Sequence, residues 1–86
     1  MYKLIFSPQV QKDAKKIASS NLKPKVEKLL EIIEKKPYSF PPSFEFLTGK
    51  LTGFISRRIN KQHRLVYEVI EDEKLIKVLR MWTHYE

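Results

Sequence analysis

The hydrophobic and polar positions along the chain change their period once, close to Gly53. Two segments before that point carry apolar residues at helical spacing, and the segments after it alternate with a period of two. The opening residues 2–6 are short, β-branched and aromatic, which predicts a first strand. Ser7 and Pro8 then indicate a helix start, with serine as the N-cap and proline at the first helical position.

Two helices are predicted in the first half of the chain. The first has apolar residues at i, i+4 and i+7, and the second, which starts near Pro24, has them at i, i+3, i+4 and i+7. The second helix should end before Pro37, because the residue preceding a proline disfavours helical backbone. The core positions predicted from this spacing are Val10, Ala14, Ile17, Val26, Leu29, Leu30 and Ile33.

Residues 37–46 are the one stretch without a regular period. Three prolines argue against a regular helix or a central strand, so we interpret the stretch as irregular. Its aromatic side chains indicate that it packs against the body of the protein and is not a free linker.

The second half predicts three strands joined by two short connections. The strands are 54–60, 64–70 and 75–82, with connections at 61–63 and 71–74. Connections this short are typical of an antiparallel meander. The element order is thus β-α-α-β-β-β, and two helices on one face of a mostly antiparallel twisted sheet would bury both apolar stripes. Because 86 residues support one core, we predict a single α+β domain over residues 1–86.

The register of the first predicted hairpin decides which arginines share a sheet face. A two-residue turn would put Arg57 on the face of Arg64, whereas a three-residue turn puts Arg58 beside Arg64. We predict the second register, because its opposite face gathers the apolar side chains that a helix-covered core needs. Those side chains are Ile55, Ile59, Leu65 and Val69. The paired arginines would then bind an anion, or simply form exposed ion pairs with Glu45 or Glu68.

Charge and composition narrow the classes of partner. Seventeen Lys and Arg against ten Asp and Glu give a net charge of +7, which favours nucleic acid, an acidic peptide or an anionic membrane surface. The absence of cysteine excludes a disulfide scaffold, a thiol nucleophile and a cysteine-based zinc site, and two histidines without HxxxH spacing exclude a histidine-rich metal site. With no apolar run of about 20 residues and no signal-peptide pattern, we expect a cytoplasmic protein without a membrane partner.

The side chains left for chemistry are a carboxylate, arginines and histidines. Metal-free RNA cleavage needs such a set: a base takes the proton of a 2′-hydroxyl, cations hold the developing phosphorane, and an acid protonates the departing 5′-oxygen. Each acid or base typically contributes roughly 10²–10⁴-fold. Histidine, with an ordinary pKa of about 6.5, suits the acid role near neutral pH.

Pattern alone leaves the role of each candidate open. Glu45 lies between two phenylalanines, so it is either a general base, if buried, or an outward-facing loop residue. His84 is either an acid or part of a frayed tail, and Tyr85 beside it could stack on a base. His63, in the predicted hairpin turn, is interpreted as a solvent-facing or phosphate-edge residue, and Tyr67 as a core residue.

One long segment and the last two aromatic positions resemble a known family. The segment runs from Glu45 through Leu51-Thr52-Gly53, Ser56-Arg57-Arg58-Ile59 and His63-Arg64-Leu65-Val66-Tyr67 to the final His84-Tyr85. It is similar to the signature of the YoeB/Txe toxins in the RelE/ParE toxin superfamily, and the opening strand and two helices match that RelE-like order. The resemblance implies a ribosome-dependent mRNA endoribonuclease, or mRNA interferase, that cuts A-site mRNA without metal or cofactor and so blocks translation.

The resemblance also implies a role for each candidate residue. By position, Glu45 resembles the general base, His84 the general acid and Arg64 the transition-state stabiliser. Arg58 resembles a supporting phosphate contact, and Tyr85 resembles the residue that orients the substrate. Two further RNA contacts are expected at Lys50 and His63.

The partners implied are those of a type II toxin–antitoxin system. They are the ribosome with its mRNA, a cognate antitoxin with an acidic C-terminal segment, and a second copy of the chain in a homodimer. Operator DNA would be bound only through the antitoxin complex. An acidic antitoxin segment agrees with the net charge of +7.

Three positions depart from the family pattern. Gln62 stands where an acid is common, so it is assigned no proton-transfer role. Thr48 stands where a basic residue is common, and the chain continues past Tyr85 to Glu86.

Two other functions stay open beside the nuclease. One is a non-nucleolytic ParE-like inhibitor of DNA gyrase with the same fold. The other is a basic nucleic-acid-binding module with aromatic stacking residues. Glu45, Arg64 and His84 favour the nuclease, because a purely binding protein does not need an acid and a base.

Overall fold

The described part of the chain forms two helices and five strands. The computed structural model describes residues 1–41 and 43–81, with Leu51 described by its backbone alone. Short 3-10 turns follow the second and fourth strands, at Gly49–Leu51 and Glu71–Glu73. The strands are β1 (Lys3–Phe6), β2 (Phe44–Phe46), β3 (Phe54–Arg58), β4 (Arg64–Ile70) and β5 (Leu75–Arg80), and the helices are α1 (Pro8–Ala18) and α2 (Lys23–Lys35).

One sheet contains all five strands, in the order β1-β5-β4-β3-β2. The first strand pairs parallel to the last, and every other pairing is antiparallel. Buried side chains of both helices and of one sheet face join in a single hydrophobic core. The predicted α+β class, with two helices on one face of a mostly antiparallel sheet, is therefore confirmed.

Both helices begin and end close to the predicted residues. The Ser7 hydroxyl accepts a hydrogen bond from the Val10 amide at 3.1 Å, and Pro8 occupies the first turn of α1. Helix α2 ends at Lys35, before Pro37. These signals are local, which is why sequence spacing was sufficient to find them.

One predicted core position of α1 is wrong. Ala14 is exposed, and Asp13 is buried instead. The Asp13 carboxylate accepts hydrogen bonds from the Met81 amide at 3.1 Å and from the Gln9 side chain at 3.0 Å. Its Oδ2 also lies 3.7 Å from Arg80 Nε. These partners compensate the burial of the charge, and they tie α1 to the end of β5.

The predicted sharing of one sheet face by Arg58 and Arg64 is confirmed, but the predicted three-residue turn at 61–63 is wrong, because residues 59–63 connect β3 and β4. Arg58 pairs with Arg64, and Ile55 pairs with Tyr67, whose side chain is buried in the core as expected. The strand predicted over 54–60 ends two residues earlier, at Arg58. Beyond it, the Ile59 amide donates to the carbonyl of His63 and closes the turn.

The interpretation of residues 37–46 as wholly irregular is wrong, because β2 forms at the end of this stretch. Phe44–Phe46 pairs antiparallel with β3 at the edge of the sheet. All three prolines of the stretch precede Phe44, so none removes a donor from the β2 ladder.

The last predicted strand ends at Arg80, and Met81 beyond it is buried. The predictions at Trp82, His84 and Tyr85 lie outside the described residues. Neither helix in the described part is long and apolar enough to cross a membrane.

Candidate active site

The edge strand β2 places the predicted base on the open face of the sheet. Glu45 pairs with Ser56 of β3, and Arg58 of β3 pairs with Arg64 of β4. Since side chains alternate along a strand, these four residues share the face that points away from the helices. The two arginines thus lie together on the sheet face that apolar alternation predicts for them.

Glu45 and Arg64 form an ion pair across this face. Arg64 Nη1 lies 3.6 Å from Glu45 Oε1, and the pair spans from β2 to β4 over the intervening β3. The Glu45 side chain is 63% exposed and that of Arg64 is 26% exposed. Glu45 is therefore neither a buried carboxylate nor a loop residue, but a strand residue with a cation at its side.

The four side chains line one concavity of about 340 Å³. Ser43 and Phe44 complete the described part of its lining. The described lining thus offers two guanidinium groups that can bind a phosphate in a bidentate manner, one carboxylate that can accept a proton, and two serine hydroxyls.

Arg58 also lines a second concavity, of about 480 Å³, on the side of α2. Lys25 and Lys28 of α2 line the same space, and Ser43 belongs to both concavities. Four cationic side chains therefore follow one another from Arg64 over Arg58 to α2. We call this the basic path: Arg64, Arg58, Lys25 and Lys28.

The two other predicted RNA contacts, Lys50 and His63, are not among the described residues that line the first concavity. Lys50 is exposed, on the 3-10 turn after β2. His63 is only 8% exposed, so its interpretation as a solvent-facing residue is wrong. The reason is the turn, in which the amides of Gln62 and His63 both donate to Asn60 Oδ1 at 2.8 and 2.7 Å. An RNA contact at His63 stays a prediction.

Arg57 is a buried residue behind the site that sequence reasoning did not single out. Its side chain is fully buried on the core face, and its Nε donates to the Tyr67 hydroxyl at 2.9 Å. Its Nη2 donates to the carbonyls of Ser39 at 2.9 Å and Pro37 at 3.1 Å. The guanidinium also lies 4.7 Å from the ring centroid of Phe44. Arg57 thus fastens the proline-rich stretch and β2 to the sheet.

Tyr67 completes this network from β4. Its hydroxyl donates to the Pro37 carbonyl at 2.7 Å and accepts from Arg57. Burial raises the pKa of the Tyr67 phenol, and the hydrogen bond from Arg57 opposes this in part. The spacing along β3 could have revealed the network. Arg57 lies two residues from both Ile55 and Ile59, so it shares their predicted core face.

Comparisons with known proteins agree on one family. The family model described as "YoeB-like toxin of bacterial type II toxin-antitoxin system" matches residues 6–85. Toxin YoeB of Escherichia coli strain K12 is 39% identical over 61 residues, which cover 71% of this chain and 70% of that protein.

Two solved structures from Staphylococcus aureus share the fold. The YoeB–YefM complex has a TM-score of 0.82 and 35% identity, covering 99% of each chain. The YoeB dimer has a TM-score of 0.82 and 34% identity, covering 98% of each chain. The family match spans nearly the whole chain, including the strands that carry Glu45, Arg58 and Arg64. The chain belongs to the family of YoeB-like toxins of bacterial type II toxin–antitoxin systems.

Proposed function

We propose that the protein is a ribosome-dependent mRNA endoribonuclease that cuts the message in the ribosomal A site without a metal. The observation that carries this proposal is the Glu45–Arg64 ion pair beside Arg58, in a concavity on the open sheet face. A carboxylate 3.6 Å from a guanidinium can supply both the base and the cation for attack by a 2′-hydroxyl on its own phosphate.

The chemistry assigns one step to each side chain. A phosphodiester held by Arg64 and Arg58 brings its neighbouring 2′-hydroxyl close to Glu45, because the 2′-oxygen sits on the ribose carbon next to the 3′-phosphate. Glu45 takes the proton of that hydroxyl, the 2′-oxygen attacks phosphorus, and Arg64 stabilises the negative charge of the phosphorane.

The leaving 5′-oxygen needs a proton from the opposite side of the phosphorus. We assign this general-acid role to His84 and the orientation of the substrate to Tyr85, both outside the described residues. The products would be a 2′,3′-cyclic phosphate and a 5′-hydroxyl. Loss of the message in the A site stops translation, and this target places the action of the toxin in the cytoplasm.

The partners follow from the charge of the chain and from the S. aureus structures. One of them is a YoeB–YefM complex and another a YoeB dimer, which supports an antitoxin partner and a homodimer for this chain. A net charge of +7 fits an antitoxin whose acidic C-terminal segment lies on the basic path. Operator DNA would be contacted through that complex.

The test is 5′-end mapping of an mRNA incubated with the protein and programmed ribosomes, beside a lane without ribosomes. Cuts at the A-site codon that require ribosomes are the expected result. Intact mRNA in both lanes, with a folded protein, contradicts the proposal. A supercoiling assay with DNA gyrase would then test the ParE-like alternative.

A further inference from the structure

Ser56 has a buried hydroxyl that the proposed mechanism does not use. The residue is 2% exposed, and its Oγ has no hydrogen-bond partner among the described residues. Most buried hydroxyls in proteins do have a partner. Even the half-buried Ser7 and Ser20 of this chain have one, since their hydroxyls donate to backbone carbonyls at 3.1 and 2.8 Å.

The position of this hydroxyl is the centre of the candidate site. Ser56 pairs with Glu45 on one side and Val66 on the other, and it lines the concavity together with Arg58 and Arg64. The backbone groups around it serve the ladders of a strand with neighbours on both sides. Folding therefore offers the hydroxyl no local acceptor, whereas an alanine here would leave no polar group unpaired.

We propose that Ser56 Oγ donates a hydrogen bond to a non-bridging oxygen of the scissile phosphate, as a neutral third ligand beside Arg58 and Arg64. The two guanidinium groups draw the anion into the concavity, and the hydroxyl lines the same space. A hydrogen bond from a hydroxyl to a charged oxygen is among the stronger ones in proteins. The inference rests on the proposed function and adds a substrate-binding residue to it.

The first test compares Ser56→Ala and Ser56→Cys with the wild type in single-turnover cleavage on programmed ribosomes. Both variants should cleave about 10- to 100-fold more slowly, because neither keeps a strong donor. The melting temperature of Ser56→Ala should equal or exceed that of the wild type, since an unpaired buried hydroxyl has been removed. Ser19→Ala, which removes an exposed hydroxyl at the end of α1, is the matched control and should change neither value.

Three outcomes of this comparison overturn the inference. Wild-type cleavage by Ser56→Ala shows that the hydroxyl is not used. A loss in Ser56→Ala together with wild-type rates in Ser56→Cys shows that filled volume matters and donation does not. A slow Ser56→Ala variant with a lower melting temperature shows that the residue is structural.

The second test needs no ribosome and separates this inference from the proposed function. Inorganic phosphate is titrated into the protein and followed by NMR, in the Glu45→Ala background so that a hydrogen bond between Ser56 and residue 45 cannot account for the effect. Ser56→Ala should weaken phosphate binding about tenfold. Equal affinity overturns the inference even if the wild type cuts RNA. A Ser56-dependent phosphate site in a protein that cuts no RNA supports the inference as a phosphate site and contradicts the proposed function.

Discussion

At the scale of single residues, the Glu45 carboxylate of the candidate site is marked by its neighbours and not by burial. The Glu45 side chain is 63% exposed, so no hydrophobic pocket surrounds the carboxylate. Glu71 also has a cation nearby, Lys74 at 3.5 Å, so what sets Glu45 apart is the concavity that it shares with two guanidinium groups. An exposed pair such as that of Glu45 and Arg64 contributes only about 0–1 kcal/mol to stability. Its two members can therefore be replaced without unfolding the protein.

We expect Glu45→Gln and Arg64→Ala each to lower the single-turnover rate on programmed ribosomes by about 10²-fold or more. The reason is that one variant lacks the base and the other the cation beside it. Thr48→Ala, an exposed residue after β2, is the control for Arg64→Ala and should cleave almost normally. Equal losses in Arg64→Ala and Thr48→Ala would count against a stabilising role for Arg64.

Tyr67 predicts how stability changes at alkaline pH. Burial raises the pKa of its phenol, so the unfolded chain ionises first, near pH 10, and binds fewer protons than the folded chain above that pH. The contribution of Tyr67 to the free energy of unfolding should be constant below about pH 10 and should fall as the pH rises further. Urea unfolding between pH 8 and about pH 11 measures the slope.

Tyr67→Phe should be less stable at neutral pH, because it loses two hydrogen bonds, but its alkaline slope should be shallower. Burial also raises the pKa of the Tyr38 phenol, but this residue is 46% exposed, so Tyr38→Phe is the comparison and should flatten the alkaline slope less than Tyr67→Phe does. An unchanged slope in Tyr67→Phe would assign the alkaline loss to another group.

Residue roles could be predicted only where a pattern or a resemblance marked them. The resemblance marked Glu45, Arg58 and Arg64, and the structure brings these three together. The sequence analysis assigned no role to Arg57 or Ser56. The alternation of side chains along β3 nevertheless places Arg57 on the core face and Ser56 on the open face. Hydrophobic alternation says which face a residue occupies, but it does not say whether a polar group finds a partner there.

At the scale of elements, β2 depends on a buried cation for its place. Arg57 binds two carbonyls of the proline-rich stretch and lies against Phe44, the first residue of β2. A three-residue edge strand has few ladder bonds of its own, so this network holds the strand that carries Glu45. Glu45, the proposed base, is thus positioned from the opposite face of the sheet.

We expect Arg57→Met to lower the free energy of unfolding by about 2–4 kcal/mol, because Pro37, Ser39 and Tyr67 each lose a hydrogen bond from the guanidinium. The neighbouring Arg58→Met, at an exposed residue, should change it by about 0.5 kcal/mol or less. Urea denaturation measures both values. Similar values for the two variants would mean that the network does not support the fold.

The elements predicted from the sequence are those with strong local signals. Apolar spacing and the Ser7-Pro8 cap located α1, and the same spacing with Pro37 located α2. Strand β2 was missed because three prolines and a length of three residues hide its alternation, and its formation depends on pairing with β3. The burial of Asp13 was missed because its partner amide, at Met81, lies 68 residues away.

At the scale of the whole molecule, positive charge is not spread evenly around the candidate site. The basic path runs from Arg64 and Arg58 on the sheet to Lys25 and Lys28 on α2. This geometry would let a single strand continue from the cleavage point along α2, and it would offer the same surface to an acidic antitoxin segment. Binding by such a path depends on salt, because each phosphate contact releases counterions.

Lys25→Ala/Lys28→Ala should weaken binding of an RNA whose scissile nucleotide is 2′-deoxy, and should reduce the salt slope by roughly 0.7 for each lost phosphate contact. The measurement is the dissociation constant at several salt concentrations. Lys12→Ala/Lys15→Ala removes the same two charges from exposed positions on α1 and is the matched control. Equal reductions in both double variants would show that only net charge matters.

The central claim is that RNA is cut by its own 2′-hydroxyl at the Glu45–Arg64 pair. The most direct measurement is the single-turnover cleavage rate of two messages on programmed ribosomes, one with ribose and one with deoxyribose at the scissile nucleotide. We predict that the wild-type protein cuts only the ribose message and leaves a 2′,3′-cyclic phosphate. Cleavage of both messages at similar rates would contradict the account, because the nucleophile would then not be the 2′-hydroxyl.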